Sequence, residues 1–167
     1  ILKECPWATT GRTHHRSPNI ITSLELKPEV MEQRNLHLQA KYREVEQKEV
    51  RYETEQCDDA DCLIVAFGSA ARIAEKSVEL AREQGIKAGL FRPITLWPFP
   101  SKALAEMARG KRHILVAEIN AGQMIQDVRL AVDGLAPVSH FGRLGGIVPE
   151  PAEIVDELIA RLEQHDN

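Results

Sequence analysis

Few residues in this chain combine type and position in a way that could do chemistry. Glu118 closes the apolar run His113-Ile114-Leu115-Val116-Ala117, which reads as a strand. A carboxylate at the carboxyl end of a strand in an open α/β sheet stands where ligands settle and catalytic groups gather. No basic residue lies near it in sequence, so the competing role is a structural hydrogen bond to the following turn. The loop Gly142-Arg143-Leu144-Gly145-Gly146 could cradle an anion, with backbone amides at Gly145 and Gly146 and the Arg143 guanidinium as contacts. The favoured reading is a flexible link between strand and helix. Near the amino end, Arg12, His14, His15 and Arg16 gather beside Lys3 and could meet a phosphate or an acidic surface. Adjacent histidines point different ways on an extended chain and make poor joint metal ligands.

Other motifs are absent. After Phe67 the chain turns through Gly68-Ser69-Ala70-Ala71-Arg72. This is not the long glycine loop with lysine that surrounds phosphates, nor a three-glycine dinucleotide fingerprint, nor a Gly-x-Ser-x-Gly elbow. Ser69 reads as a helix cap. The three cysteines, Cys5, Cys57 and Cys62, contain no Cys-x-x-Cys pair and fall short of the four soft ligands of a zinc or iron–sulfur site. An odd count with no signal-peptide pattern suggests reduced thiols and a cytoplasmic location. With no nucleophile–base pair and no metal constellation, the expected sites in this chain are contacts, with no catalytic, cofactor-binding or metal-binding residue.

The segment most suited to contacts is Phe91-Arg92-Pro93-Ile94-Thr95-Leu96-Trp97-Pro98-Phe99-Pro100. Three prolines remove backbone donors and fix φ, so the segment reads as a stiff, extended crossover rather than a central strand or helix. Held extended, Trp97 and Phe99 could pack on another domain at low entropic cost. The expectation is that both fold back onto the domain or bury in a dimer contact.

These residues need a scaffold. The 167 residues suffice for one α/β domain and an appendage, and 43% hydrophobic with 28% charged residues is the composition of a soluble globular chain. A net charge of −4 argues against general nucleic-acid binding, and no apolar run is long enough to span a bilayer. The chain begins at Ile1 rather than Met and is expected to be a piece of something longer, or processed. Residues 1–48 read as an arm containing a helix from Pro28 to about Gln47, with a narrow stripe of Met31, Leu38, Tyr42 and Val45.

Residues 49–167 alternate strand and helix. An edge strand spans Glu49–Thr54, and a strand at Cys62–Phe67 is followed by a helix to about Gln84, stopped by Gly85. That helix shows the face Ala70, Ile73, Ala74, Ser77, Val78 and Ala81. Next come a strand at Ile86–Phe91, a short helix capped by Ser101 and ended near Gly110, and the strand His113–Glu118. A helix to about Val132 follows, with Asn120 and Gln123 at capping-box spacing. A strand at Val138–Phe141 precedes a helix opened by Pro151, with the stripe Ile154, Val155, Leu158, Ile159 and Leu162. Such alternation implies parallel strands and right-handed crossovers in a three-layer α/β/α domain of five strands.

Four segments together carry a resemblance: Val50-Arg51-Tyr52-Glu53, Leu63-Ile64-Val65-Ala66-Phe67-Gly68-Ser69, Arg92–Pro100, and Glu118-Ile119-Asn120-Ala121-Gly122-Gln123-Met124. The chain resembles the C-terminal region of the alpha subunit of 2-oxoacid:ferredoxin oxidoreductases, which is similar to the C-terminal domain of transketolase. The stretches Gly11–Arg16 and Asn35–Glu44 look like the 2-oxoisovalerate branch rather than the 2-oxoglutarate one. The resemblance implies a mixed sheet of order 1-3-2-4-5 with strand 1 antiparallel. It also implies an enzyme, typical of anaerobes, that decarboxylates branched 2-oxoacids on thiamine diphosphate. Electrons would leave through iron–sulfur clusters to ferredoxin, and the acyl group would go to coenzyme A.

By the same resemblance, those cofactors sit on other domains and subunits. This domain would organise subunit geometry and be inactive alone, in contact with the other subunits and, through the whole complex, with ferredoxin. The arm residues Arg92, Trp97 and Phe99 and the turn Gly122, Gln123 and Met124 resemble interface segments. Two other readings stay open: a flavodoxin-like binder of small molecules or anions, and an assembly module that forms a homodimer through the helix at 28–47.

Overall fold

The computed structural model describes residues 23–165. The basic cluster of residues 3–16 and Cys5 lie outside that range. Helix α1 (Pro28–Lys48) opens on proline, which suits a first helical turn because its missing donor is not needed there. No α1 residue is buried. The chain forms two compact units, 1–41 and 42–167, and the boundary falls within α1. On the helix, Met31, Leu38 and Val45 are half-buried, while Tyr42 is exposed.

The second unit holds one five-stranded sheet: β1 (Tyr52–Glu55), β2 (Cys62–Ala66), β3 (Ala88–Pro93), β4 (His113–Glu118) and β5 (Val138–Gly142). Their order is β1-β3-β2-β4-β5. β1 runs antiparallel to β3, and the other pairings are parallel. The helices are α2 (Gly68–Glu83), α3 (Ser101–Ala108), α4 (Met124–Val132) and α5 (Pro151–His165). β2 is buried at every position, so it reads as an unbroken apolar run rather than an alternation. Its side chains still alternate between faces. Cys62, Ile64 and Ala66 join the core under α2 and α5, whereas Leu63 and Val65 join the core under α3 and α4. Two helical layers thus cover the sheet, and each fully buried Leu, Ile or Val contributes about 1.5–3 kcal/mol of transfer free energy.

Several local expectations need correction. The edge strand is shorter than Glu49–Thr54, and β3 starts and ends two residues later than expected. Arg92 and Pro93 therefore belong to a strand that has neighbours on both sides. Pro93 is tolerated because β2 pairs only with Ala88–Phe91, leaving it opposite Tyr52 of the edge strand alone. Ser69 and Ser101 do not cap helices. α2 begins at Gly68, with Phe67 two residues before Ser69 in the cap position, α3 begins at Ser101 itself after Pro100, and neither start has a side-chain cap. Gly85 ends α2 as expected, at φ +83°, where a side chain would be strained.

Candidate functional site

Four parallel strands end on the same edge of the sheet. The segments leaving it are the Gly68 turn, the proline arm, the turn after Glu118 and the loop after Gly142. The Glu118 side chain is fully buried. Its Oε1 accepts N–H groups from Met124 at 2.8 Å, Gln123 at 3.3 Å and the Asn120 side-chain amide at 3.1 Å. Oε2 accepts from the Ile125 N–H at 3.2 Å. A strand-end carboxylate thus serves as the amino-terminal cap of α4, where orphan donors and the helix dipole both favour an acceptor.

Asn120 forms half of the expected capping box. Its Oδ1 accepts from Gly122 N at 2.7 Å and Gln123 N at 3.1 Å, while Glu118 supplies the rest. Of the turn's candidate contact residues, Gln123 is exposed and Gly122 is half-buried. Met124 is only 3% exposed and packs in the core under α3 and α4. It is a core residue rather than a surface contact, because α4 begins there and turns it inward.

Glu118 has a basic neighbour after all. His140 of β5 places Nε2 3.6 Å from Glu118 Oε2. The sequence could not show this, since the neighbour comes from another strand, through the register that pairs Val116 with His140. The two loops also meet through backbone: Arg143 N donates to the Glu118 carbonyl at 3.3 Å. The Arg143 guanidinium forms an ion pair with Glu153 of α5, so its charge already has a carboxylate partner. Gly145 and Gly146 adopt φ +65° and +83° and are exposed.

The proline arm takes a bent path, not an extended one. The Arg51 carbonyl accepts from Ile94 N at 3.0 Å and Thr95 N at 3.1 Å, tying the start of the arm to the residue before β1. Arg92 pairs with Glu53 at 3.0 Å. The two aromatics of the arm part company. Phe99 packs against the core under α3 and α4. Trp97 remains 57% exposed, with Tyr42 edge-on at 5.5 Å. An open groove of about 840 Å³ lies here, lined by Val50, Tyr52, Trp97, Phe99 and Leu130 among others.

The thiols are poorly suited to reaction. Burial pushes the Cys62 thiol up to about 11. Cys57 is also raised, chiefly by burial, and its Sγ donates to the Leu90 carbonyl at 3.1 Å. Among the described residues, no group of three or more His, Cys, Asp or Glu side chains could hold a metal ion.

The sheet order and the covered strand ends define a class of domain, and sequence comparison supplies the family. Residues 60–154 match the family described as pyruvate:ferredoxin oxidoreductase core domain II, and the chain belongs to that family. It is 40% identical over 152 residues to ketoisovalerate oxidoreductase subunit VorB of Methanothermobacter thermautotrophicus, covering 91% of this chain and 43% of that protein. It is 35% identical over 102 residues to 2-oxoglutarate synthase subunit KorA of Methanothermobacter marburgensis, covering 61% of this chain and 27% of that one. The chain thus spans less than half the length of these relatives. A solved 2-oxoglutarate:ferredoxin oxidoreductase from Magnetococcus marinus shares the fold, with a TM-score of 0.71 at 21% identity over 83% of this chain and 24% of that one.

Proposed function

We propose that this chain is a portion of the alpha subunit of a 2-oxoacid:ferredoxin oxidoreductase acting in the cytoplasm on branched 2-oxoacids such as 2-oxoisovalerate. The observation that carries the substrate class is the 40% identity to a ketoisovalerate oxidoreductase subunit over 91% of the chain. The match to the 2-oxoglutarate synthase subunit of Methanothermobacter marburgensis stops at 61%. In this reading the whole enzyme uses thiamine diphosphate, iron–sulfur clusters and coenzyme A, and passes electrons to ferredoxin.

Among the described residues, the two thiols and the loop arginine that could meet those groups are already committed. Cys62 lies fully inside the sheet core, Cys57 is committed to a backbone carbonyl, and Arg143 is paired with Glu153. In this reading no reaction step is routed through this domain. Its role is to hold subunits together. The exposed Trp97 beside its open groove and the preformed turn at Gly122-Gln123 are the surfaces suited to that role.

The decisive assay is ferredoxin reduction by the whole enzyme with 2-oxoisovalerate, 2-oxoglutarate and pyruvate. The branched acid should exceed the others in kcat/KM by roughly tenfold or more. Equal or better turnover of 2-oxoglutarate overturns the substrate. The chain alone should give no heat of thiamine diphosphate binding in calorimetry, and micromolar binding would place part of the active site here.

A further inference from the structure

The buried Glu118 carboxylate has one neighbour that capping does not use, the imidazole of His140. Its Nε2 lies 3.6 Å from Glu118 Oε2 and is enclosed without a hydrogen-bond partner. The Asn120 carbonyl oxygen and the ring's Cε1 and Nε2 all crowd the space that a Cβ on Gly142 would fill. The ring also lies against Gly122, where an added Cβ would be 3.5 Å from Nε2 and 3.6 Å from Cδ2. Glycine at both positions leaves room for this contact.

The oxygen nearest Nε2 belongs to a carboxylate that already receives four N–H groups and acts only as an acceptor. An imidazole lone pair beside that oxygen would be repelled, whereas an N–H is attracted. Each ring nitrogen of a neutral histidine is either donor or acceptor, so its surroundings select the tautomer.

We infer that the Glu118 carboxylate fixes His140 as its Nε2–H tautomer, and that the pair is a positioning device locking the turn 119–124 to β5. The turn is thereby held in one shape before any partner arrives, so binding it costs little ordering entropy. The expected consequence for assembly rests on the proposed subunit-contact role; the tautomer and the locking do not.

Nitrogen-15 NMR of the chain under conditions where His140 is neutral should show Nε2 protonated and Nδ1 bare. An Nδ1–H form or an even mixture overturns the inference. His140→Phe keeps a ring and removes the N–H. It should speed amide exchange at Gly122 to Ile125 by about tenfold while leaving β2 amides unchanged. His140→Gln, whose side-chain amide can present an N–H, should restore slow exchange. Unchanged exchange at the turn in His140→Phe overturns the locking role, and so does uniform loss of protection in both variants. In the whole complex, His140→Phe should weaken subunit association by about fivefold, and His140→Gln should recover it. Faster turn exchange with unaltered association supports the pair and removes the turn from the subunit contact.

Discussion

Two segments leave the same edge of the sheet, each after a strand buried in the core, and they solve opposite problems. The turn after β4 carries a charge into the interior and surrounds it with four donors at 2.8–3.3 Å. The arm after β3 carries apolar rings outward and leaves Trp97 57% exposed beside an open groove. A buried carboxylate is tolerable only when its acceptors are filled from within the chain, so the turn is complete by itself. An exposed indole costs nothing in polar satisfaction but leaves apolar area in water, which a subunit contact of the kind proposed would cover. The domain thus satisfies a buried charge at one strand end and exposes an aromatic ring at the next.

The sharpest way to break this contrast is Glu118→Ala. It strands the backbone donors of Met124 and Ile125 and the Asn120 amide, and should cost about 3–5 kcal/mol in urea unfolding. A loss no greater than that of an ordinary surface substitution would show that water completes the turn. Gly142→Ala should cost about 2 kcal/mol, because the new methyl would run into the Asn120 carbonyl, which is backbone and cannot swing aside.

A probe at the opposite edge of the sheet tests whether burial alone has such effects. The Cys62 thiol is raised from 9.0 to about 11 by burial, so the folded chain resists its ionisation more than the unfolded chain does. That contribution is fully present below pH 9 and is lost as pH rises toward 11. A loss of roughly 2 kcal/mol is expected over that window, absent in Cys62→Ala. Identical pH slopes in the two proteins would remove Cys62 as the cause.

On the arm the effects should be smaller. Phe99→Ala should cost about 1–2 kcal/mol, since its ring is only partly within the core. Trp97→Ala should change the stability of the chain by less than about 0.5 kcal/mol, yet weaken association in the whole enzyme. Unchanged association would end the case for the arm as an interface.

The sequence was most legible where one residue type could serve only one local purpose. Pro28 opened α1 and Gly85 closed α2, and the unbroken apolar run from Cys62 marked a strand covered on both faces. Of the stripe Ile154, Val155, Leu158, Ile159 and Leu162, all were buried except Ile159, which is half-buried at its margin. Ser69 and Ser101 misled because a serine near a helix start fits the cap and the first turn alike, and a shift of only one or two residues separates the two. Met124 misled for a related reason: a turn and the first turn of a helix share residues, and only the helix direction decides which side chain points inward.

The sequence by itself thus determined the alternation of strands and helices, and with it the layered α/β class, because period and punctuation are local properties. It also placed Glu118 at a strand end. Tertiary structure decided what surrounds that carboxylate. His140 reaches it from β5, and Arg143 turns to Glu153 of α5. The two arm aromatics likewise met different fates, one against the core and one in solvent, although the same prolines frame both. Contacts between residues distant in sequence depend on strand register and on which helix covers which face. No short-range pattern encodes either one.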